Sequence, residues 1–188
     1  MIGNDIVDIA QARNESNWQR PRFLEKLFTP QEQSLIYDSE NKTQIIWRLW
    51  SMKEAAYKLH TQLYPSRFYA PKRFCCSIEN NEGIVRFNDT EYYTTTKITS
   101  DYIYSEAYLS ALKLVSDIIQ FENKPNETNS NVLKQQLLHK LAITFNLSFK
   151  DLKLQKNNFS IPFILIHDCK IHISLSHHGN FGAYAFTA

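Results

Sequence analysis

The sequence predicts an α+β fold of two lobes, each a helix laid on an antiparallel sheet. Three observations point there. Apolar residues recur at helical spacing twice: Ile45, Leu49, Met52, Ala56 and Leu59, then Leu133, Leu137, Leu141 and Phe145. Each stripe is followed by short runs rich in β-branched and aromatic residues, with turn signals between them. A polar, turn-rich stretch at 122–131 separates the two patterns and reads as a linker. The expected domains are therefore 1–121 and 132–188, joined by that linker.

Taken in order, residues 2–9 read as a short apolar strand carrying Asp5 and Asp8. Thr29-Pro30-Gln31-Glu32 is a helix start: Thr29 caps, Pro30 suits the first helical position, and Glu32 completes a capping box. That helix should run to about residue 38, and a longer one from about 43 to 60. Strands are expected at 73–79, 84–88, 92–98 and 102–115. Beyond the linker, Ser130 offers a cap for the helix bearing the leucine stripe, and strands follow at 151–155, 163–166, 170–176 and 183–187.

The bulk properties exclude several classes. Hydrophobic residues make 43% and charged residues 21% of the 188-residue chain, a globular balance rather than a disordered one. Four glycines leave no long Gly-rich phosphate loop. A formal net charge of +2 argues against nucleic acid as the main partner. No apolar run reaches the roughly 20 residues needed to cross a bilayer. The N-terminus carries carboxylates where a signal peptide has basic and then apolar residues, so a cytoplasmic location is expected. Cys75, Cys76 and Cys169 are an odd number and read as free thiols. His167, Cys169, His172, His177 and His178 invite a zinc reading. It is the minor one, because the spacing lacks a paired CxxC and strand alternation separates Cys169 from His172.

Glu54 and Lys58, four apart, project from one face of the long helix, roughly opposite the core stripe. Trp47 and Trp50 lie along that face too, so the helix should be buried on both sides. A partly buried carboxylate costs several kcal/mol unless it is paired or ligates a metal. Lys58, Lys53 and Arg48 are the candidate partners. The plain alternative is a helix-surface pair worth about 0.3 kcal/mol. A hard cation takes one or two protein carboxylates plus substrate phosphates, and Asp5 with Glu54 would supply them if the fold joins them. Ser174, Ser176, His177 and His178 end a strand, where hydroxyls and imidazoles can meet phosphate oxygens. Read alone, His177 fits a turn residue better than a ligand. No G-x-S-x-G elbow accompanies it.

These segments together resemble a known family. Gly3-Asn4-Asp5-Ile6-Val7-Asp8-Ile9 resembles the G-x-D-I-V-E-I opening of 4′-phosphopantetheinyl transferases. Trp50-Ser51-Met52-Lys53-Glu54-Ala55-Ala56-Tyr57-Lys58 is similar to their aromatic-x-x-K-E-A-x-x-K helix, and Ile173-Ser174-Leu175-Ser176-His177 to their S-[IL]-S-H segment. The stretch from Arg22 to Glu32 resembles the RF-x-E-x-[IL]-[FL]-T-x-x-E of the holo-acyl-carrier-protein synthase branch, whose motif order this chain follows. The resemblance implies transfer of phosphopantetheine from coenzyme A to a serine of an apo carrier protein, with release of adenosine 3′,5′-bisphosphate. It assigns Mg2+ to Asp5 and Glu54. It gives Lys58 a phosphate contact and a share in deprotonating the serine, and Lys53 a further phosphate contact. Ser176 and His177 fall on the coenzyme A side, near its nucleotide phosphates.

Two departures stand out. Where the longer branch of the family carries G-K-P, this chain has Ser160-Ile161-Pro162, without the lysine; and Val7 stands two residues after Asp5, where that branch has a second acid. The stretch from Ser105 to Ala111 resembles that from Gly182 to Phe186, which implies two related lobes in one chain, a permuted pseudo-dimer, and favours a monomer while leaving a trimer open. Arg13, Arg20, Arg22 and Lys26 form a basic set suited either to an acidic carrier or to a solvated helix face. Two other functions remain open at this point: a non-catalytic coenzyme A or carrier-binding module, and a metal-dependent hydrolase of nucleotide pyrophosphates.

Overall fold

The computed structural model describes residues 1–110, 114–122 and 128–187. Strand β1 (Gly3–Asp8) leads into helix α1 (Ile9–Glu15), with the Asp8 carboxylate accepting from the Gln11 amide as N-cap. Helices α2 (Phe23–Leu27), α3 (Pro30–Asp38) and α4 (Lys42–Leu63) follow. Thr29 and Glu32 form the expected reciprocal capping box on α3. Strands β2 (Cys75–Glu79), β3 (Glu82–Phe87), β4 (Thr90–Ile98) and β5 (Tyr102–Tyr108) then meander into a sheet. Strand β1 returns to pair with β5, so the order is β1-β5-β4-β3-β2, antiparallel throughout.

The second lobe repeats this plan. Strand β6 (Leu114–Gln120) precedes helix α5 (Asn129–Phe145), and β7 (Leu152–Lys156), β8 (Pro162–Ile166), β9 (Cys169–His178) and β10 (Phe181–Thr187) meander back to it. The order β6-β10-β9-β8-β7 is that of the first sheet, strand for strand. Both lobes are thus a strand, a helical segment (α1–α4 in the first, α5 in the second) and a four-stranded meander whose last strand pairs with the first.

Two boundaries differ from expectation. The run expected as one strand at 102–115 is two strands in different sheets, because β5 pairs with β1 and β4 whereas β6 pairs with β10. No glycine or proline between Tyr108 and Leu114 marks the change. The second sheet therefore takes in Leu114–Gln120, ahead of the expected linker, of which 123–127 lie outside the described residues. Helix α5 is capped by Thr128, whose side chain accepts from the Asn131 amide, rather than by Ser130.

Alternation along β1 assigns its residues to two neighbours. Gly3, Asp5 and Val7 face α4 and the first core, where Val7 is buried with Leu24, Phe28 and Leu49. A β-carbon on Gly3 would lie 1.9 Å from the Ala55 carbonyl oxygen, so strand and helix touch through main chain. Asn4, Ile6 and Asp8 face the second lobe: Ile6 packs with Phe181 and Ala183, and Asp8 Oδ2 accepts from the Asn180 amide at 2.9 Å. The outer edge of β1 is not left open. The Asn4 amide donates to Ser174 Oγ at 2.9 Å and the Asp8 amide to His178 Nδ1 at 3.0 Å, which blunts an edge that would otherwise expose unpaired donors. Gln62 of α4 clips the two lobes together, donating to the carbonyls of Ile2 and Ile173.

Candidate functional site

The seam between β1, α4 and β9 collects the residues the sequence singles out. Asp5 points at α4 because it shares the strand face of Gly3, and Lys58 of α4 meets it: Nζ donates to Asp5 Oδ1 at 3.0 Å and to the Asn4 carbonyl at 2.8 Å. Lys58 is half-buried and Asp5 more so. Burial pushes the Asp5 carboxyl above the usual carboxylate range, opposed by Lys58. Glu54 lies one helical turn before Lys58 and near enough to Asp5 for the two charges to repel. Burial first, and then that repulsion, raise the Glu54 carboxyl from 4.5 to about 7, with Lys58 partly offsetting them. Among the described residues no hydrogen bond reaches Glu54.

Two acids held together in low dielectric, with one cation between them, form a site short of positive charge. The donor set fits a hard divalent ion bound partly by substrate oxygens. Among the described residues there is no cluster of three or more His, Cys, Asp or Glu that could enclose a metal by itself, so such an ion would need phosphate or water to complete its shell.

Asp5, Lys58 and Glu54 each line a different hollow. One, of about 540 Å3, reaches from Asp5 past Trp47, Trp50 and His177 to Arg20 and Lys26. A second, of about 560 Å3, opens on the other side of Lys58, between the end of α4 and the second lobe. The smallest, about 240 Å3, lies beside Glu54 and is walled by Trp50, Tyr57, Phe68, Tyr69 and Phe74.

Other expected residues stand elsewhere. Lys53 is fully buried on another face of α4, and its three donors go to Glu32 Oε2 at 2.8 Å, the Pro71 carbonyl at 3.0 Å and the Phe74 carbonyl at 2.6 Å. An ammonium with every N–H engaged inside the protein has none left for a phosphate, so its role is to tie α3, α4 and β2 together. Glu32 completes that tie, accepting also from the amides of Thr29 and Cys76. Arg48 turns to the carbonyls of Asn80 and Glu82. Ser176 is buried in the seam and lines none of these three hollows, in contrast to the expected phosphate contact. It shares a strand face with Ser174 and His178, the face that covers the edge of β1. His177, on the opposite face, is exposed and borders the hollow that holds Asp5. Asp8 is occupied as a cap and as the lobe contact to Asn180. Of the basic set, Arg20 and Lys26 line the first hollow.

One residue that sequence reasoning passed over is Arg67. From the segment after α4 it crosses to the second lobe, donating from Nε to the Phe159 carbonyl at 3.2 Å and from Nη2 to Ser160 Oγ. It thus arrives at the position where the resemblance left a lysine missing. The available signal was a cation among aromatics, Arg67-Phe68-Tyr69, just past the C-terminus of the motif helix.

Comparison with known proteins adds a family. No curated protein matches the chain. Solved structures with a similar fold include holo-[acyl-carrier-protein] synthase of Thermotoga maritima, at 11% identity and a TM-score of 0.43, over 74% of this chain and 89% of that one. The Helicobacter pylori holo-[acyl-carrier-protein] synthase in complex with coenzyme A aligns over 100% of this chain and 98% of its own, at 16% identity and a TM-score of 0.28. The family model is the firmer finding: it matches residues 1–112, from β1 through the whole first sheet and the motif helix. On that match, spanning more than half of its length, the chain belongs to the 4′-phosphopantetheinyl transferase superfamily.

Proposed function

We propose that this protein transfers the 4′-phosphopantetheine group of coenzyme A to a serine of an apo carrier protein, releasing adenosine 3′,5′-bisphosphate. The observation that carries the reading is the meeting of Asp5, Glu54 and Lys58, each of which lines a different hollow. Asp5 and Glu54 are the residues that would hold Mg2+, which when bound polarises the phosphoryl centre and offsets charge on the leaving group. Among the described residues Lys58 Nζ has two acceptors, which leaves its third N–H to face a pyrophosphate oxygen. Burial and the Asp5 charge push the Glu54 carboxyl up to about 7 in the ion-free chain, and a divalent cation at the acid pair would favour its ionised form. The serine oxygen then bonds to the phosphorus that bears the pantetheine, and the bridging P–O bond to the nucleotide half breaks.

The hollows suit three different guests. The aromatic one beside Glu54 fits the branched dimethyl carbon of the arm, which lies one methylene from the phosphate oxygen. The hollow with Arg20 and Lys26 suits an acidic carrier that brings its serine past Trp50 to Asp5. Both sides of the cleft come from one chain, which favours a monomer. Among the described residues no helix is long and apolar enough to cross a membrane.

The test is incubation with apo carrier proteins, coenzyme A and Mg2+, followed by mass spectrometry. The carrier should gain one phosphopantetheine arm, and Glu54→Gln should abolish the gain while the protein stays folded. Release of both coenzyme A halves without a carrier would instead indicate a hydrolase, and no turnover with any apo carrier a binding module.

A further inference from the structure

Strand β1 is joined to the second lobe by side chains of β9 that stand in for main chain. The amides of Asn4 and Asp8 point out of the first sheet and donate to Ser174 Oγ at 2.9 Å and to His178 Nδ1 at 3.0 Å. The second contact constrains chemistry as well as position. A backbone N–H can only donate, so His178 Nδ1 must present its lone pair and carry no proton. The ring is therefore neutral while the contact is made, with its one proton on Nε2. Glu15 of α1 receives that proton's hydrogen bond, with Nε2 3.2 Å from Glu15 Oε2. Gln11, one turn earlier on α1, donates to the other oxygen of the same carboxylate and orients it.

The turn after His178 closes round the same strand end. Asp8 Oδ2 accepts from the Asn180 amide at 2.9 Å, and Oδ1 from the Gln11 amide at 3.0 Å. Gly179 has φ 53°, and a side chain there would run into the Asp8 carboxylate. Its carbonyl accepts from Asn129 Nδ2 of α5 at 3.3 Å, which ties the turn to the body of the second lobe. His178, Gly179 and Asn180 thus form a socket for Asp8. At the other end of the strand, Gly3 touches Ala55 through main chain and Gln62 clips Ile2 to Ile173. Asp5 lies between these two fixings, so where it meets α4 depends on both.

We propose that His178 is a positioning residue for Asp5: by offering a bare Nδ1 to the Asp8 amide, in the tautomer that Glu15 holds, it seats β1 against the second lobe. The inference rests on the proposed function, in which Asp5 is a metal ligand. His178 acts through the strand and needs no contact with either substrate.

Ring-nitrogen NMR of the full-length protein at neutral pH tests the tautomer without any transfer step. The signal that His178→Asn removes should belong to a ring with a protonated Nε2 and a bare Nδ1; an Nδ1–H or doubly protonated ring would overturn the proposal. His178→Leu removes the acceptor. The Asp8 amide should then lose hydrogen-exchange protection by about 10-fold or more, and the rise in melting temperature given by Mg2+ should fall by about half or more. His178→Asn keeps an acceptor oxygen in the place of Nδ1 and should restore both to within about 2-fold of wild type. In the transfer assay His178→Leu should lower kcat by about 10- to 100-fold, with KM for the carrier changed less than about 2-fold. If His178→Leu fails to fold, Glu15→Ala serves in its place. It leaves the ring present and frees its tautomer, and should lower amide protection and the Mg2+ effect in the same direction. Unchanged values in that variant would overturn the proposal. So would a wild type that Mg2+ does not stabilise, an Asn variant no better than Leu, or a rise in carrier KM with kcat intact, which would make His178 a docking residue. Failure of the carrier mass-shift assay refutes only the transfer reading, because tautomer, amide protection and ion effect are all read without a carrier.

Discussion

Replacing Glu54 by glutamine should make the metal-free protein more stable in alkaline solution. Its carboxyl titrates at about 7 in the fold against an ordinary 4.5. Below 4.5 both folded and unfolded forms are protonated and the group contributes nothing. Between the two values the unfolded chain gives up its proton while the fold retains it, so stability falls as pH rises. Above about 7 the cost is complete, at ~3 kcal/mol from ~1.4 kcal/mol per pH unit. Glutamine has nearly the same shape and no charge, and escapes this cost. The assay is urea unfolding of both proteins in a chelator at pH 4 and pH 8.5. The stability of E54Q relative to wild type should rise by about 3 kcal/mol between the two. Millimolar Mg2+ at pH 8.5 should then stabilise wild type and have little effect on E54Q. Parallel pH profiles would refute the reasoning, because they would mean Glu54 is solvated or already neutralised within the chain.

Three further outcomes are expected. Lys53→Met leaves Glu32 buried without its ammonium partner and should cost about 3–5 kcal/mol in urea unfolding; a loss below about 1 kcal/mol would show that the pair is solvated. Gly3→Ala drives a methyl into the Ala55 carbonyl, so β1 must shift, with a stability loss of about 1–3 kcal/mol and a larger drop in transfer than that loss explains; wild-type activity would contradict it. Arg20→Glu with Lys26→Glu should lower kcat/KM for an acidic carrier by about 10-fold at low salt, converging on wild type at high salt, and an unchanged salt dependence would remove this surface from the docking path.

What the sequence showed depended on how local the cause was. The capping box at Thr29 and Glu32 is local chemistry and appears as expected, and the stripe from Ile45 to Leu59 places α4 against its sheet. Local spacing also separates Asp5 from Asp8, since three positions along a strand reverse the face. Lys53 and Lys58 were harder. Both belong to one motif helix, and only the positions of α3 and β2 determine that the first is enclosed while the second opens on the cleft. Ser176 depends on a related cause: the face of β9 that covers the edge of β1 is set by how the lobes pack. Strand β6 escaped notice because no turn residue separates it from β5. Arg67 lies 93 positions from the serine it touches, and no periodicity within one segment could disclose that pairing.

The contact between Gly3 and Ala55 has a consequence for ion choice. Strand and helix meet there through their main chains, and Asp5 and Glu54 extend from that strand and that helix. The backbone spacing beneath the acid pair is thus set by peptide groups in contact rather than by side chains that could repack. A frame of constant width should sort divalent ions by radius, favouring the small one with strict octahedral demands over larger, more accommodating ions such as calcium.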